Sequence, residues 1–214
     1  MKITIVYDNG LYQEGFKEDW GFGCVIDAYG KRLLFDTGAK GDILLENMRK
    51  LNIDPKSIEE VFISHDHWDH VGGLADFLEL NNNVRIYAPF TMSGINNARE
   101  VLYIEGLGQL DGNFYTTGVL QNSEQSLVIK DKKGCVVLVG CSHPGVENIL
   151  TAAEQIAKPW AIIGGFHGLS SFHALKSLEI ICATHCTEFK AEIKALYPKQ
   201  FEKGGVGKVL ELNG

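Results

Sequence analysis

The sequence predicts an α+β protein built from sheets that carry helices on their outer faces. Three observations support this. Apolar runs of strand length recur along the chain, several pass directly into helical patterns, and histidines, aspartates and glycines gather at those junctions. Each half supplies strands first and strand-to-helix junctions afterwards, without any residue-level repeat.

The first third reads as a β-meander: Ile3 to Tyr7, then Cys24 to Asp27, a turn at Tyr29-Gly30-Lys31, and Arg32 to Phe35 ending at Asp36. Ile43, Leu44, Met48 and Leu51 come next at amphipathic spacing and predict a helix. Asp54-Pro55 supplies an N-cap and a first-turn proline for a short second helix. Val61 to Ser64 is a buried strand that delivers a histidine cluster at its carboxyl end, and Val71 to Leu80 resumes as a helix or helical turn. After a strand at Val84 to Ala88, residues 89 to 124 lack periodicity and are rich in Gly, Asn and Thr. A segment so long is read as a substrate-side lid or wall containing short strands. Ser126 to Lys130 and Cys135 to Val139 form a hairpin, followed by Gly140-Cys141-Ser142-His143 and a helix from Val146 to Ala157. A strand at Ala161 to Ile163 leads to Gly164-Gly165-Phe166-His167. Ile180 to Ala183 leads to His185, a helix through Leu196 and a closing strand from Val206 to Leu212.

The 214 residues, 45% hydrophobic and 22% charged, suit one globular domain over 1–214, and no Pro- or Ser-rich stretch divides them. A net charge of −7 argues against unaided binding to nucleic acid, and the basic run Lys130 to Gly134 reads as a solvated hairpin turn. No apolar run approaches the roughly 18 residues of a membrane span, and no signal-peptide pattern opens the chain, so a cytoplasmic protein is expected. Five cysteines without a Cys-x-x-Cys pair fit reduced thiols.

The chemistry concentrates in His65-Asp66-His67-Trp68-Asp69-His70. Imidazoles at 65, 67 and 70 and a carboxylate at 69 suit a divalent cation. Residues i and i+2 of an extended segment share a side, so His65 and His67 can grip one metal at about 2.0–2.1 Å per nitrogen. Asp69 and His70 come next as the chain turns, and face a second metal about 3.5–4 Å from the first. Solvated loop histidines are the plain alternative, yet three His and two Asp in six positions make an odd helix cap. Further ligands must come from elsewhere. His143 and His185 are best placed, each after an apolar strand and before a helix. His167 divides between a ligand, a general acid or substrate contact, and an ordinary strand-end residue; His173 falls on a surface helix. Asp36, ending a Leu-Leu-Phe strand, suits a carboxylate that orients a ligating imidazole.

His65-x-His67-x-Asp69-His70 after an apolar strand, Leu34-Phe35-Asp36-Thr37-Gly38 upstream and strand-end histidines downstream resemble the metallo-β-lactamase superfamily across nearly the whole chain. Gly140-Cys141-Ser142-His143-Pro144-Gly145, Gly164-Gly165-Phe166-His167 and His185-Cys186-Thr187 resemble the branch that includes dihydropterin-type synthases of methanopterin biosynthesis and many hydrolases. The resemblance implies a four-layer αββα sandwich with metals at one edge between two sheets. It implies His65, His67 and His143 on one metal and Asp69, His70 and His185 on the other. Cys141 stands where many members place a bridging aspartate, and is read as structural in preference to a thiolate ligand. Glu188 stands where the narrower branch often has glycine.

The resulting expectation is a hydrolase of a small-molecule ester or phosphoester, in which two divalent ions, zinc ahead of iron or manganese, activate a hydroxide. Asp66 orients the nucleophile or shuttles a proton, and His167 protonates the leaving group. A pterin-phosphate synthase-like enzyme is the alternative on the same fold. A di-iron redox protein would need a flavin domain for which 214 residues leave no room, and a ligand sensor would bind without turnover. The partner expected is a small molecule, with neither nucleic acid nor membrane.

Overall fold

The computed structural model describes residues 1–213. The chain forms two compact units, Met1–Ile104 with Gly204–Asn213, and Glu105–Lys203.

The first unit opens with the expected meander. β1 (Lys2–Tyr7), β2 (Gly23–Ala28) and β3 (Lys31–Phe35) pair antiparallel, with Val25 opposite both Thr4 and Leu34. α1 (Gly41–Lys50) buries Leu44 and Met48, with Asp42 in its first turn and Arg49 and Lys50 in its last, as the helix dipole favours. Asp54 caps as expected, its side chain accepting the Lys56 N–H at 2.9 Å, but it opens only a single 3-10 turn, Pro55–Ser57. The chain must be extended again by Ile58 to enter the next strand, which leaves no length for a helix.

β4 (Glu60–Phe62) precedes two helical pieces, α2 (Trp68–Val71) and α3 (Leu74–Leu80), where the sequence predicts a helix or helical turn over 71–80. Gly72-Gly73 separates them, pressed so closely on the backbone of Ala39 and Thr37 that a Cβ at either would collide with a carbonyl oxygen. β5 (Arg85–Pro89) and β6 (Glu100–Ile104) extend the sheet in parallel.

In the second unit, the aperiodic segment does contain short strands, β7 (Gly108–Asp111) and β8 (Phe114–Thr116). β9 (Leu127–Lys130) and β10 (Cys135–Val139) form the hairpin. α4 (Val146–Glu154), β11 (Pro159–Gly165), β12 (Ile180–Thr184) and α5 (Lys190–Leu196) complete the unit, β10, β11 and β12 running parallel. β13 (Val209–Glu211) returns to the first unit and pairs with β1; its ladder is shorter than the expected 206–212 because Val206 and Gly207 bond to Gly10 and Ile5 in a turn.

The sheets are therefore β13-β1-β2-β3-β4-β5-β6 and β12-β11-β10-β9-β8-β7. Each mixes parallel and antiparallel pairs and each has its own core. One is built on Val25, Leu34, Val61, Ile63 and Phe77, the other on Val137, Val139, Ile149, Ile162 and Ile181. None of the five cysteines is in a disulfide. Among the described residues no helix is long and apolar enough to cross a membrane.

Candidate metal centre

In the first unit, parallel pairing sets the ends of β3 and β4 side by side, and both ends carry polar residues. Asp36 follows β3 at φ 51°, a conformation rare for a residue with a side chain and typical of functional sites. Its Oδ1 accepts the Ser64 N–H at 2.8 Å and its Oδ2 accepts the Ser64 hydroxyl at 2.7 Å. The same Oδ2 lies 2.7 Å from His70 Nδ1, and Ser64 Oγ lies 2.9 Å from His65 Nδ1.

A proton count assigns the tautomers. The Ser64 hydroxyl spends its hydrogen on Asp36, so it accepts from His65 Nδ1–H; His70 Nδ1–H donates to the carboxylate directly. One buried carboxylate thus leaves the Nε2 lone pair of each imidazole as the one that can take a cation. Thr37 completes the clamp, donating its N–H and its hydroxyl to the His70 carbonyl at 2.8 and 2.9 Å.

His65, Asp69 and His70 are buried, whereas Asp66, His67 and Trp68 are exposed. The His65 ring centroid stands 4.5 Å from that of His67 and 4.2 Å from that of His70. His65 and His67 bring ring nitrogens within 4.8 Å of each other, and Asp69 and His70 do the same with a carboxylate oxygen and a ring nitrogen. Asp69 Oδ2 stands 3.7 Å from His70 Nε2 and accepts the Trp20 indole N–H at 2.9 Å.

In the second unit, β10 ends in a turn over 140–143 that is wrapped around the buried Glu124. Glu124 Oε1 accepts the N–H groups of Gly140, Cys141 and Ser142 at 2.8, 3.0 and 3.2 Å, and Oε2 accepts that of His143 at 2.9 Å. Ser142, at φ 60°, bends the backbone so that successive N–H groups converge on one anion. Its hydroxyl donates to Gly165 O at 2.7 Å and ties the turn to the end of β11.

His143 is half-buried, and its ring centroid lies 5.6 Å from that of His167, which is exposed. His185 follows β12 at φ 48° and is buried, with Lys190 Nζ donating to its carbonyl at 3.0 Å. Cys141 is buried and offers Sγ within 4.8 Å of a His185 ring nitrogen.

His173 is exposed in the 3-10 turn Phe172–Leu175, and Glu188 is exposed. Sequence reasoning assigns no role to Ser64, Glu124 or Trp20. Ser64 carries a faint signal as the residue between strand and cluster, while Glu124 and Trp20 carry none, since their partners lie 16–19 and 49 positions away.

The donors fit a divalent cation. Imidazoles locked with Nδ1 inward, a carboxylate beside one of them and a buried thiol beside another are borderline and soft ligands of the kind zinc takes.

The profile of the metallo-β-lactamase superfamily matches residues 25–185, most of the chain and nearly all of the residues described above. The chain belongs to the metallo-β-lactamase superfamily. It is 29% identical to the 7,8-dihydropterin-6-methyl-4-(β-D-ribofuranosyl)-aminobenzene-5'-phosphate synthase of Methanocaldococcus jannaschii, over 97% of this chain and 95% of that protein. It is 28% identical to a crystallised metal-dependent hydrolase of the β-lactamase superfamily, with a TM-score of 0.80 and both chains covered in full. The zinc-bound PqqB of Methylobacterium extorquens shares the fold at a TM-score of 0.68 and 14% identity, covering 99% of this chain and 100% of that one. The fold class is the α+β class of this superfamily, as the sequence predicts.

Proposed function

We propose that the protein is a metal-dependent hydrolase of a small-molecule ester or phosphoester, with two divalent cations, zinc foremost, held by the strand-end loops. His65, His67 and His143 serve one cation, and Asp69, His70 and His185 the other, with the Cys141 thiolate as a further ligand of the second. This last assignment departs from the structural role expected of Cys141 and rests on its sulfur's distance from His185.

The observation that carries the reading is the relay Asp36–Ser64–His65 together with Asp36–His70, which fixes two ligand tautomers with one buried charge. A fold without a metal gains little by burying a carboxylate and two imidazoles together, because each must be desolvated. The likeness to a metal-dependent hydrolase over the full chain supports the same reading.

A bound cation pair supplies a water of lowered pKa and positive charge opposite the attacked carbonyl or phosphoryl group. Asp66, exposed beside the ligands, accepts a proton from the attacking water. His167, exposed beside His143, donates one to the leaving atom. Reduced thiols are in keeping with a cytoplasmic setting. A second reading, a synthase acting on a pterin phosphate, is supported by the Methanocaldococcus relative.

The test is metal analysis of protein purified without added metal, followed by assay against phosphodiester, thioester and lactone substrates. Bound zinc with turnover of at least one class, both lost in His67→Ala, is expected. Full activity and unchanged metal in His67→Ala would reject the ligand assignment.

A further inference from the structure

We propose that Trp20 is a stacking platform for the substrate, and that the substrate carries a flat aromatic or heteroaromatic ring next to the group that is hydrolysed. The inference deepens the hydrolase reading and depends on it for the position of that group.

Two features of Trp20 need explaining together. Its indole N–H is committed to Asp69 Oδ2 at 2.9 Å, an oxygen only 3.7 Å from His70 Nε2, so the ring sits directly beside a metal ligand. Yet Trp20 is 51% exposed, and Trp68, the chain neighbour of Asp69, is 63% exposed. An asparagine or serine would furnish a donor for Asp69 without leaving a large apolar ring in water. About half of the residue thus stays exposed beside the site, where an aromatic body with its polar atom tied down offers a ligand a contact face.

The chain that carries the indole is also tied down. Gly21 N–H donates to Asn9 Oδ1 at 2.9 Å, and Phe22 N–H donates to Asp69 O at 3.3 Å. Gly21 adopts φ 142°, and a Cβ there would stand 2.5 Å from Asp69 O, so only glycine permits this approach. Before it, Asp19 pairs with Lys40 Nζ at 2.8 Å, and Asn47 exchanges hydrogen bonds with both the N–H and the carbonyl of Lys17 at 2.9 and 2.8 Å. An indole anchored through its N–H on a chain fixed on both sides binds a planar partner with little further loss of freedom, the condition under which stacking contributes most. An aliphatic group gains only contact area there.

The test uses the full-length, zinc-loaded protein and two probes of equal charge, 1-naphthyl phosphate and cyclohexyl phosphate, with binding measured by equilibrium dialysis. The naphthyl probe should bind about ten-fold more tightly, the ratio falling to about two-fold or less in Trp20→Leu and staying largely intact in Trp20→Phe. In the wild type, the naphthyl probe should also shield Trp20 from oxidation by N-bromosuccinimide, read by peptide mass spectrometry, which needs no variant to fold. Equal affinities, a ratio unchanged in Trp20→Leu, or no shielding would overturn the platform. Zinc content is recorded on the same samples: full zinc with a ratio near one sinks the platform alone, whereas no zinc sinks the hydrolase reading.

Discussion

Asp36 Oδ2 lies 2.7 Å from His70 Nδ1 and accepts the hydroxyl of Ser64 at the same distance, so one carboxylate oxygen governs two imidazoles. Asp36→Asn keeps the shape, removes the charge, and leaves an amide NH2 where two donors already point. Zinc affinity should fall by about 10- to 100-fold, measured by competition with a chromogenic chelator. Ser64→Ala breaks only the branch to His65 and should cost less. Equal affinities in Asp36→Asn and wild type would mean that the relay is structural.

Glu124 is the corresponding anchor for the turn over 140–143. Glu124→Gln turns one acceptor oxygen into a donor facing backbone N–H groups, leaving buried N–H groups unsatisfied at a cost of about 1–3 kcal/mol. For a chain of this size the melting temperature should drop by about 3–10 °C. Zinc binding should weaken as Cys141 and His143 lose their fixed backbone. Calorimetry with and without zinc checks both, and a melting temperature equal to that of wild type would show that the turn holds its shape unaided.

Burial, with Asp131 and Glu154 nearby, pushes the Cys135 thiol up to about 12 from the usual 9.0. The native state then keeps a proton that the unfolded chain releases, so stability from this group is constant below about pH 9 and falls as pH rises towards 12. Tyr7, raised from 10.0 by burial and by Asp19, adds to the slope at higher pH. Cys135→Ala should flatten the first part of the alkaline decline in melting temperature between about pH 8 and 10.5. An unaltered slope would contradict the assignment. The same neutral thiol should resist iodoacetamide at about pH 8.

Much of the site was legible in the sequence because its chemistry is local. His65, His67, Asp69 and His70 lie within six positions of one apolar strand end, and strand alternation with a following turn is enough to converge them. Asp36 was legible for a related reason, a charge at the end of a Leu-Leu-Phe strand being costly without a partner. Glu124 was not, because it binds backbone N–H groups, which every residue but proline has, and it lies in a segment without periodicity. The interruption at Gly72-Gly73 was hidden too: its cause is the Thr37–Ala39 backbone, brought close only by the fold. The nearness of Cys141 to His185 was hidden as well, because it depends on parallel strands more than forty positions apart in sequence.

Anomalous diffraction at the zinc edge, from crystals grown with the metal, tests the central claim most directly. Two peaks about 3.5–4 Å apart are predicted, one bonded to His65 and His67 and the other to Asp69 and His70 through His70 Nε2. No peak within bonding distance of residues 65 to 70 would contradict it.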